Sequence, residues 1–174
     1  YFAKRDPYVV EITFSNKQFF IINNHFKCCG DNVIENDNWW DETYRRQQAS
    51  IHLQNYIDTH LSENNVIVLG DFNDELTDSE AHNVFWNFIS VPSKYRFVDM
   101  AIAEGSPEYW SYPTYPSHID HILITNELFN YIVEVNTLLY ENELTNGWWE
   151  YENYISDHRP LYISISSMIE TDAN

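Results

Sequence analysis

The sequence predicts an α/β layered fold with mixed sheets. Short apolar runs of strand length alternate with helix-length segments, and two of the runs lie close enough in sequence to pair as a hairpin. The first run is residues 8–14, where Tyr8, Val10, Ile12 and Phe14 alternate with Val9, Glu11 and Thr13, a period of two that marks a strand with one face better buried than the other. Ser15-Asn16-Lys17 turns the chain into residues 19–26 (FFIINNHF), apolar on both parities until Asn23-Asn24-His25, as in a central strand whose end carries polar groups.

Residues 28–40 are a polar loop, after which Asp41 or Thr43 caps a helix running to about Leu61 with Ala49, Leu53, Tyr56, Ile57 and Leu61 on its inner face. Asn64-Asn65 ends it. Residues 66–69 (VIVL) form a buried-type strand that closes on Gly70-Asp71-Phe72-Asn73, and a second helix is expected over 79–89. Residues 91–117 read as a proline-bearing, aromatic loop with a short extended piece at 110–112. Further strands are expected at 119–125, 131–140 and 161–169, with an acidic, Trp/Tyr-rich loop at 141–153 before the last.

The chain carries 9 Lys+Arg against 27 Asp+Glu in 174 residues, a formal charge of −18. That excludes a basic module that wraps nucleic acid, because affinity for a phosphate backbone comes from Lys and Arg displacing counterions. Any phosphate chemistry therefore needs metal cations. With 44% apolar and 17% aromatic residues the composition is that of one folded domain. No apolar run reaches the roughly 18 residues of a membrane span, and the first residues lack a signal-peptide layout. The only cysteines, adjacent Cys28 and Cys29, are compatible with a strained vicinal bridge or with two reduced thiols.

Four polar clusters each stand at the end of an apolar run: Asn24-His25, Asp71 with Asn73, Asp120, and Asp157-His158. Sites form where strand ends converge on a rigid base. Asp71 and Asn73, two apart in an extended backbone, point the same way, and Gly70 permits a close approach to the backbone. The all-oxygen set Asp71, Asn73 and Asp157 suits a hard cation such as magnesium or manganese. Asp120 is placed to fix the tautomer of His158. His118 and His121 alternate with Asp120 and read as packing or rim, Asp99 as a loop cap, and His52, His60 and His82 as helix-surface residues. Arg45-Arg46 and the 141–152 charge run read as solvated. Trp110 and Tyr112, with the pairs Trp39-Trp40 and Trp148-Trp149, either line a substrate groove or anchor loops.

The ordered series NNH (23–25), GDFND (70–74), SHIDHIL (117–123) and SDHRPL (156–161) resembles the endonuclease/exonuclease/phosphatase superfamily. The resemblance implies a four-layer α/β/β/α sandwich that hydrolyses phosphate esters, with the site at the top of two packed sheets. It implies catalytic roles for His25, Asp71, Asn73, Asp120 and His158. Asp157 would bind metal with Asp71 and Asn73, taking Mg2+ or else Mn2+ or Ca2+, and Arg5 and Asn24 would contact a phosphate-ester substrate, nucleic acid being one class, a surface ion pair being the other reading of Arg5. A lipid or sugar phosphate hydrolase and a non-catalytic binding module are the alternatives. The KCCGDN loop resembles secreted bacterial members, implying a secreted or periplasmic location. The superfamily's Asn-bearing first strand and metal-binding Glu precede the strand that starts at Tyr8. The expectation is therefore that residues 1–169 are the C-terminal two-thirds of one domain, an incomplete catalyst alone, with 170–174 a tail.

Overall fold

The computed structural model describes Phe2 and residues 5–166. Strands β1 (Tyr8–Phe14) and β2 (Lys17–His25) form an antiparallel hairpin. Its turn residues Ser15 and Asn16 have φ of 50° and 60°, the left-handed pair that matches the twist of a two-residue hairpin loop. Helix α1 (Glu42–His60) crosses back so that β3 (Asn65–Asp71) lies parallel to β2. Helix α2 (Trp86–Ile89), β4 (Tyr95–Phe97), α3 (Met100–Ala103) and β5 (Asp120–Thr125) follow, giving a five-stranded mixed sheet in the order β1-β2-β3-β5-β4. A second sheet pairs β6 (Ile132–Thr137) with β7 (Leu161–Ile165), and α4 (Gly147–Tyr154) lies between them in sequence.

Strand alternation sorts the main sheet's side chains into two cores. Ile22, Phe26, Val66, Val68 and Leu123 face Ala49, Leu53, Ile57 and Leu61 of the α1 region, together with Phe72, Phe85 and Phe88. The opposite face buries Phe19, Ile67, Ile122 and Ile124 against Leu128 and the half-buried Leu161, Ile163 and Ile165. Gly70 is required between β2 and β3: its φ is +130°, and a Cβ there would stand 2.0 Å from the Asn24 carbonyl oxygen.

Several sequence-based expectations change. Strand β1 is the sheet edge and is exposed on both faces, Tyr8 and Phe14 being 70% and 67% exposed. The helix expected over 79–89 is confined to Trp86–Ile89, because Asn83 uses its side chain on the backbone of Leu76, Asp78 and Phe85. The 91–117 loop contains β4, α3 and a single 3-10 turn, Pro107–Tyr109. The acidic loop of 141–153 is largely helix α4, preceded by a 3-10 turn at Tyr140–Glu143. Tyr56 is exposed, and Arg46 and Ser50 take inward positions on α1. Of the strand expected over 161–169, residues 161–165 are strand, while 167–169 and the 170–174 tail lie outside the described residues.

Candidate active site

Strand register builds the site. His25 on β2 pairs with Asp71 on β3, and Asp71 pairs with Asp120 on β5, so three adjacent strands set these residues in a row on one face at one end of the sheet. The His25 Nε2 to Asp71 Oδ2 distance is 3.4 Å. At the far end of the row, His158 Nδ1 meets Asp120 Oδ2 at 2.7 Å. These four line a cleft of about 590 Å³ with Asn73, Asp157, Tyr112, Ile119, Cys28 and Cys29.

Asn73 reaches the cleft by a different route from the extended backbone its spacing predicts. Its φ is 54°, a conformation Asn tolerates, its amide donates to Asp71 Oδ1 at 2.9 Å, and its side-chain amide donates to the Phe26 carbonyl at 3.2 Å. Asp71 is thereby held in place. Burial pushes its carboxyl above the usual carboxylate range, helped by the negative charge of Asp120, and His158, the Asn73 amide and His25 do not fully offset this. The His158 imidazole is pushed up chiefly by its hydrogen bond with Asp120; partial burial opposes the shift, and the charges of Asp120, Asp71 and Asp157 add to it. With Nδ1 on Asp120, the nitrogen left for the cleft is Nε2. The Tyr112 ring covers the imidazole at 4.8 Å.

Segments that composition assigned to solvent hold this arrangement. Arg46, 1% exposed, donates through Nε to Asp74 Oδ2 at 2.7 Å and through Nη1 to the carbonyls of Lys27 and Cys29. It fastens the loop after β2 to the loop after β3. Glu141 is likewise buried and pairs with Arg159 at 2.6 Å, whose guanidinium lies over the Trp148 ring, while the Tyr151 hydroxyl donates to the His158 carbonyl at 3.3 Å. Ser111 accepts through Oγ from the amides of Ile119 and Asp120 and through its carbonyl from the Arg159 amide. The sequence reading placed Arg46 and Glu141 in solvent and assigned Ser111 no role, although Asp74 and Arg159 lie inside the GDFND and SDHRPL strings.

Three expected site residues are placed elsewhere or differently. Asn24 points to the helix face with Ile22 and Phe26, is 5% exposed, and its Oδ1 has no partner, so it does not border the cleft. Trp110 donates its indole N–H to the Ile102 carbonyl and anchors the end of α3; Tyr112 takes the cleft position instead. Arg5, exposed at the edge, hydrogen-bonds the His25 ring at 2.7 Å. Of the packing and rim readings of His118 and His121, burial fits packing, and Asp99 turns its carboxylate inward to both rings instead of capping a loop.

Two places bear on metal binding. The cleft offers Asp71, Asn73 and Asp157, hard oxygen donors of the type magnesium and manganese take, and the mutual repulsion of Asp71 and Asp120 is what a cation there would relieve. Among the described residues, the ligand atoms that lie within 4.8 Å of one another as a set of three are those of Asp99, His118 and His121. Their atoms are already engaged: His121 on Asp99 and the Asp74 carbonyl, His118 on Asp99 and the Ser111 amide, and Asp99 Oδ1 on the Ile122 amide. The cleft is therefore the better match to a hard cation.

The family model described as Endonuclease/Exonuclease/phosphatase family matches residues 3–158. No curated protein sequence matches the chain significantly. Among solved structures, D. rerio TDP2 complexed with a single-strand DNA product is similar at TM-score 0.61 and 18% identity, over 91% of this chain and 60% of that one. An AP endonuclease from Archaeoglobus fulgidus is similar at TM-score 0.59 and 13% identity, over 91% and 65%. The 3′ phosphatase NExo from Neisseria, bound to a product DNA hairpin, is similar at TM-score 0.57 and 17% identity, over 91% and 65%. At these identities the likeness is one of fold, and the chain spans 60% to 65% of the length of these proteins.

Proposed function

The chain belongs to the endonuclease/exonuclease/phosphatase family, and we propose that its cleft hydrolyses a phosphate ester, in the manner of a nuclease or phosphodiesterase, by in-line attack of water with a divalent cation bound. The row His25, Asp71, Asp120 and His158 carries this reading, because it aligns two imidazoles and two carboxylates on one cleft.

His158, its proton affinity raised chiefly by the Asp120 hydrogen bond, presents Nε2 to donate a proton to a phosphoryl oxygen as negative charge builds there. Asp120 keeps the ring oriented and stabilises the imidazolium. Asp71 in its ionised form orients the attacking water, and His25 contacts the phosphate or the leaving oxygen. Asp157, Asp71 and Asn73 would hold Mg2+ or Mn2+, which when bound supplies charge neutralisation at the phosphoryl oxygens.

The DNA products held by the similar TDP2 and NExo structures support a nucleic-acid substrate. The charge of −18 favours a second reading, a lipid or sugar phosphate, since a polyanion is repelled at long range. The test is turnover of bis(p-nitrophenyl) phosphate and of a single-stranded oligonucleotide by the full-length protein with magnesium, manganese or calcium. Metal-dependent hydrolysis is expected, with His158→Ala lowering kcat by about 10²- to 10⁴-fold. No turnover in any ion, with melting unchanged by each, would instead identify a binding module.

A further inference from the structure

The two thiols stand in the cleft but have no part in the proposed hydrolysis. Cys28 and Cys29 are both free, Cys29 is exposed, and their sulfurs are 2.9 Å apart. Neighbouring side chains on an extended backbone diverge. Here Cys29 has φ of 73°, which turns its side chain back toward Cys28. The buried Arg46 guanidinium donates to the carbonyls of Lys27 and Cys29, at 3.0 Å and 2.5 Å, and is itself anchored on Asp74. The loop therefore presents both sulfurs from a backbone that is clamped.

From this geometry we propose that Cys28 and Cys29 form a two-sulfur chelating site for a soft, thiophilic centre, such as trivalent arsenic or mercury(II), at the wall of the cleft. Soft centres prefer sulfur, and two sulfurs suffice for one that takes few ligands, whereas zinc takes four. A direct disulfide is disfavoured, because adjacent Cα atoms lie about 3.8 Å apart, shorter than the usual span of roughly 4.4–6.8 Å for bridged residues. The Lys27 ammonium lies 3.8 Å from Cys28 Sγ. The thiol hydrogen bond from Cys29 lowers the pKa of Cys28, partial burial opposes this, and Lys27 adds to it, so Cys28 ionises more readily than a free thiol.

With phenylarsine oxide the balance is simple. Each sulfur forms one bond to arsenic, the oxide oxygen leaves as water with the two thiol protons, and arsenic stays trivalent, so no oxidant is needed. Because His25, Asp71 and Asn73 line the same cleft, the adduct sits where a phosphate ester would enter.

The test treats the folded protein with one equivalent of phenylarsine oxide and reads intact mass and the histidine ring resonances. One arsenical per chain is expected. It should survive excess 2-mercaptoethanol, be removed by dithiothreitol, and shift the ring signals of His25 but not those of buried His121. Cys28→Ser and Cys29→Ser, each first checked for the native fold by circular dichroism, should lose the adduct in the monothiol wash. An adduct stripped from the native chain as readily as from the single variants would overturn chelation. A stable adduct that leaves His25 unmoved would overturn its place in the cleft. Both readouts stand without any turnover, so their failure is distinct from failure of the hydrolase reading.

Discussion

Two Asp–His pairs begin from neighbouring residues of β5 and face opposite sides of the sheet. His121 turns to the helix-side core and meets Asp99 at 2.7 Å; Asp120 turns to the cleft and meets His158 at the same 2.7 Å. The side chains of the first pair are 0% exposed, those of the second 24% and 19%. In the core, the second His121 nitrogen donates to the Asp74 carbonyl, and the rings of Phe72, Phe85 and Phe97 surround it within 6 Å. A carbonyl only accepts, so Nε2 of His121 carries a proton, and an ionised Asp99 accepts a second one from Nδ1, which leaves the ring no free nitrogen. Burial opposes a charge on the ring, and the charge and hydrogen bond of Asp99, with the Asp74 carbonyl, outweigh it, raising the pKa of His121. In the cleft the same chemical pair leaves one nitrogen unspent. Distance alone does not separate a structural pair from a reactive one; the valence left over does.

The largest effect that tests this contrast is on folding. Asp99→Ala takes the counter-charge and hydrogen-bond acceptor from the fully buried His121 and His118 rings and should cost about 3–5 kcal/mol, a fall in Tm of very roughly 6–20 °C for a chain of this size. Asp120→Ala removes a partly solvated carboxylate and should cost about 1 kcal/mol or less. In the proposed hydrolysis the order reverses: Asp120→Ala should lower kcat by about 10²-fold or more. Thermal melts of the two variants decide it, and equal losses of Tm would dissolve the distinction.

The pairs should also part company in pH. Asp99 is held below its usual range by His121 and His118, although burial alone would raise it. Its contribution is present above about pH 4 and is lost as pH falls through its depressed folded value. The contribution of His121, raised on folding, is full below about pH 6.5 and is lost as pH climbs through its raised value. The pair thus stabilises most between about pH 4 and 6.5, and Asp99→Ala should flatten that plateau in a Tm–pH series. In the cleft, hydrolysis should fall in acid as Asp71, raised by burial, takes up a proton, and in base as His158 loses one. Asp120→Asn should move the basic limb toward acid, and an unmoved limb would remove His158 as the group responsible.

The apolar runs made the strands legible, and the polar residues at their ends pointed to the right edge of the sheet. Register then did what no local pattern states, setting His25, Asp71 and Asp120 side by side. The misreadings came from letting charge overrule periodicity. Arg46 falls on the same stripe as Ser50, Leu53 and Ile57, and its counter-charge Asp74 lies 28 residues away, out of reach of any sequence window. Glu141 was misread in the same way, its partner Arg159 being distant in sequence. Asn24 is the converse case, since a period of two already grouped it with Ile22 and Phe26, away from His25.

The smallest effect probes whether the two regions are separable at all, because Ser111 touches both. Its amide donates to His118 Nδ1 at 3.3 Å, and the other nitrogen of that ring is on Asp99. Its Oγ accepts from the amides of Ile119 and Asp120 at 3.2 Å and 3.1 Å. Ser111→Ala keeps the first link and strands two amides, at a cost of about 1–3 kcal/mol. If Ser111 fixes the start of β5 for the cleft alone, the variant should lower the raised His158 pKa as Asp120 loosens, leave that of His121 unchanged, and reduce hydrolysis several-fold. Proton NMR titration of the two rings reads both values in one sample. Movement of both would make the buried pair and the open pair a single cooperative unit joined through Ser111, with the saturated core then setting the proton affinity of the cleft.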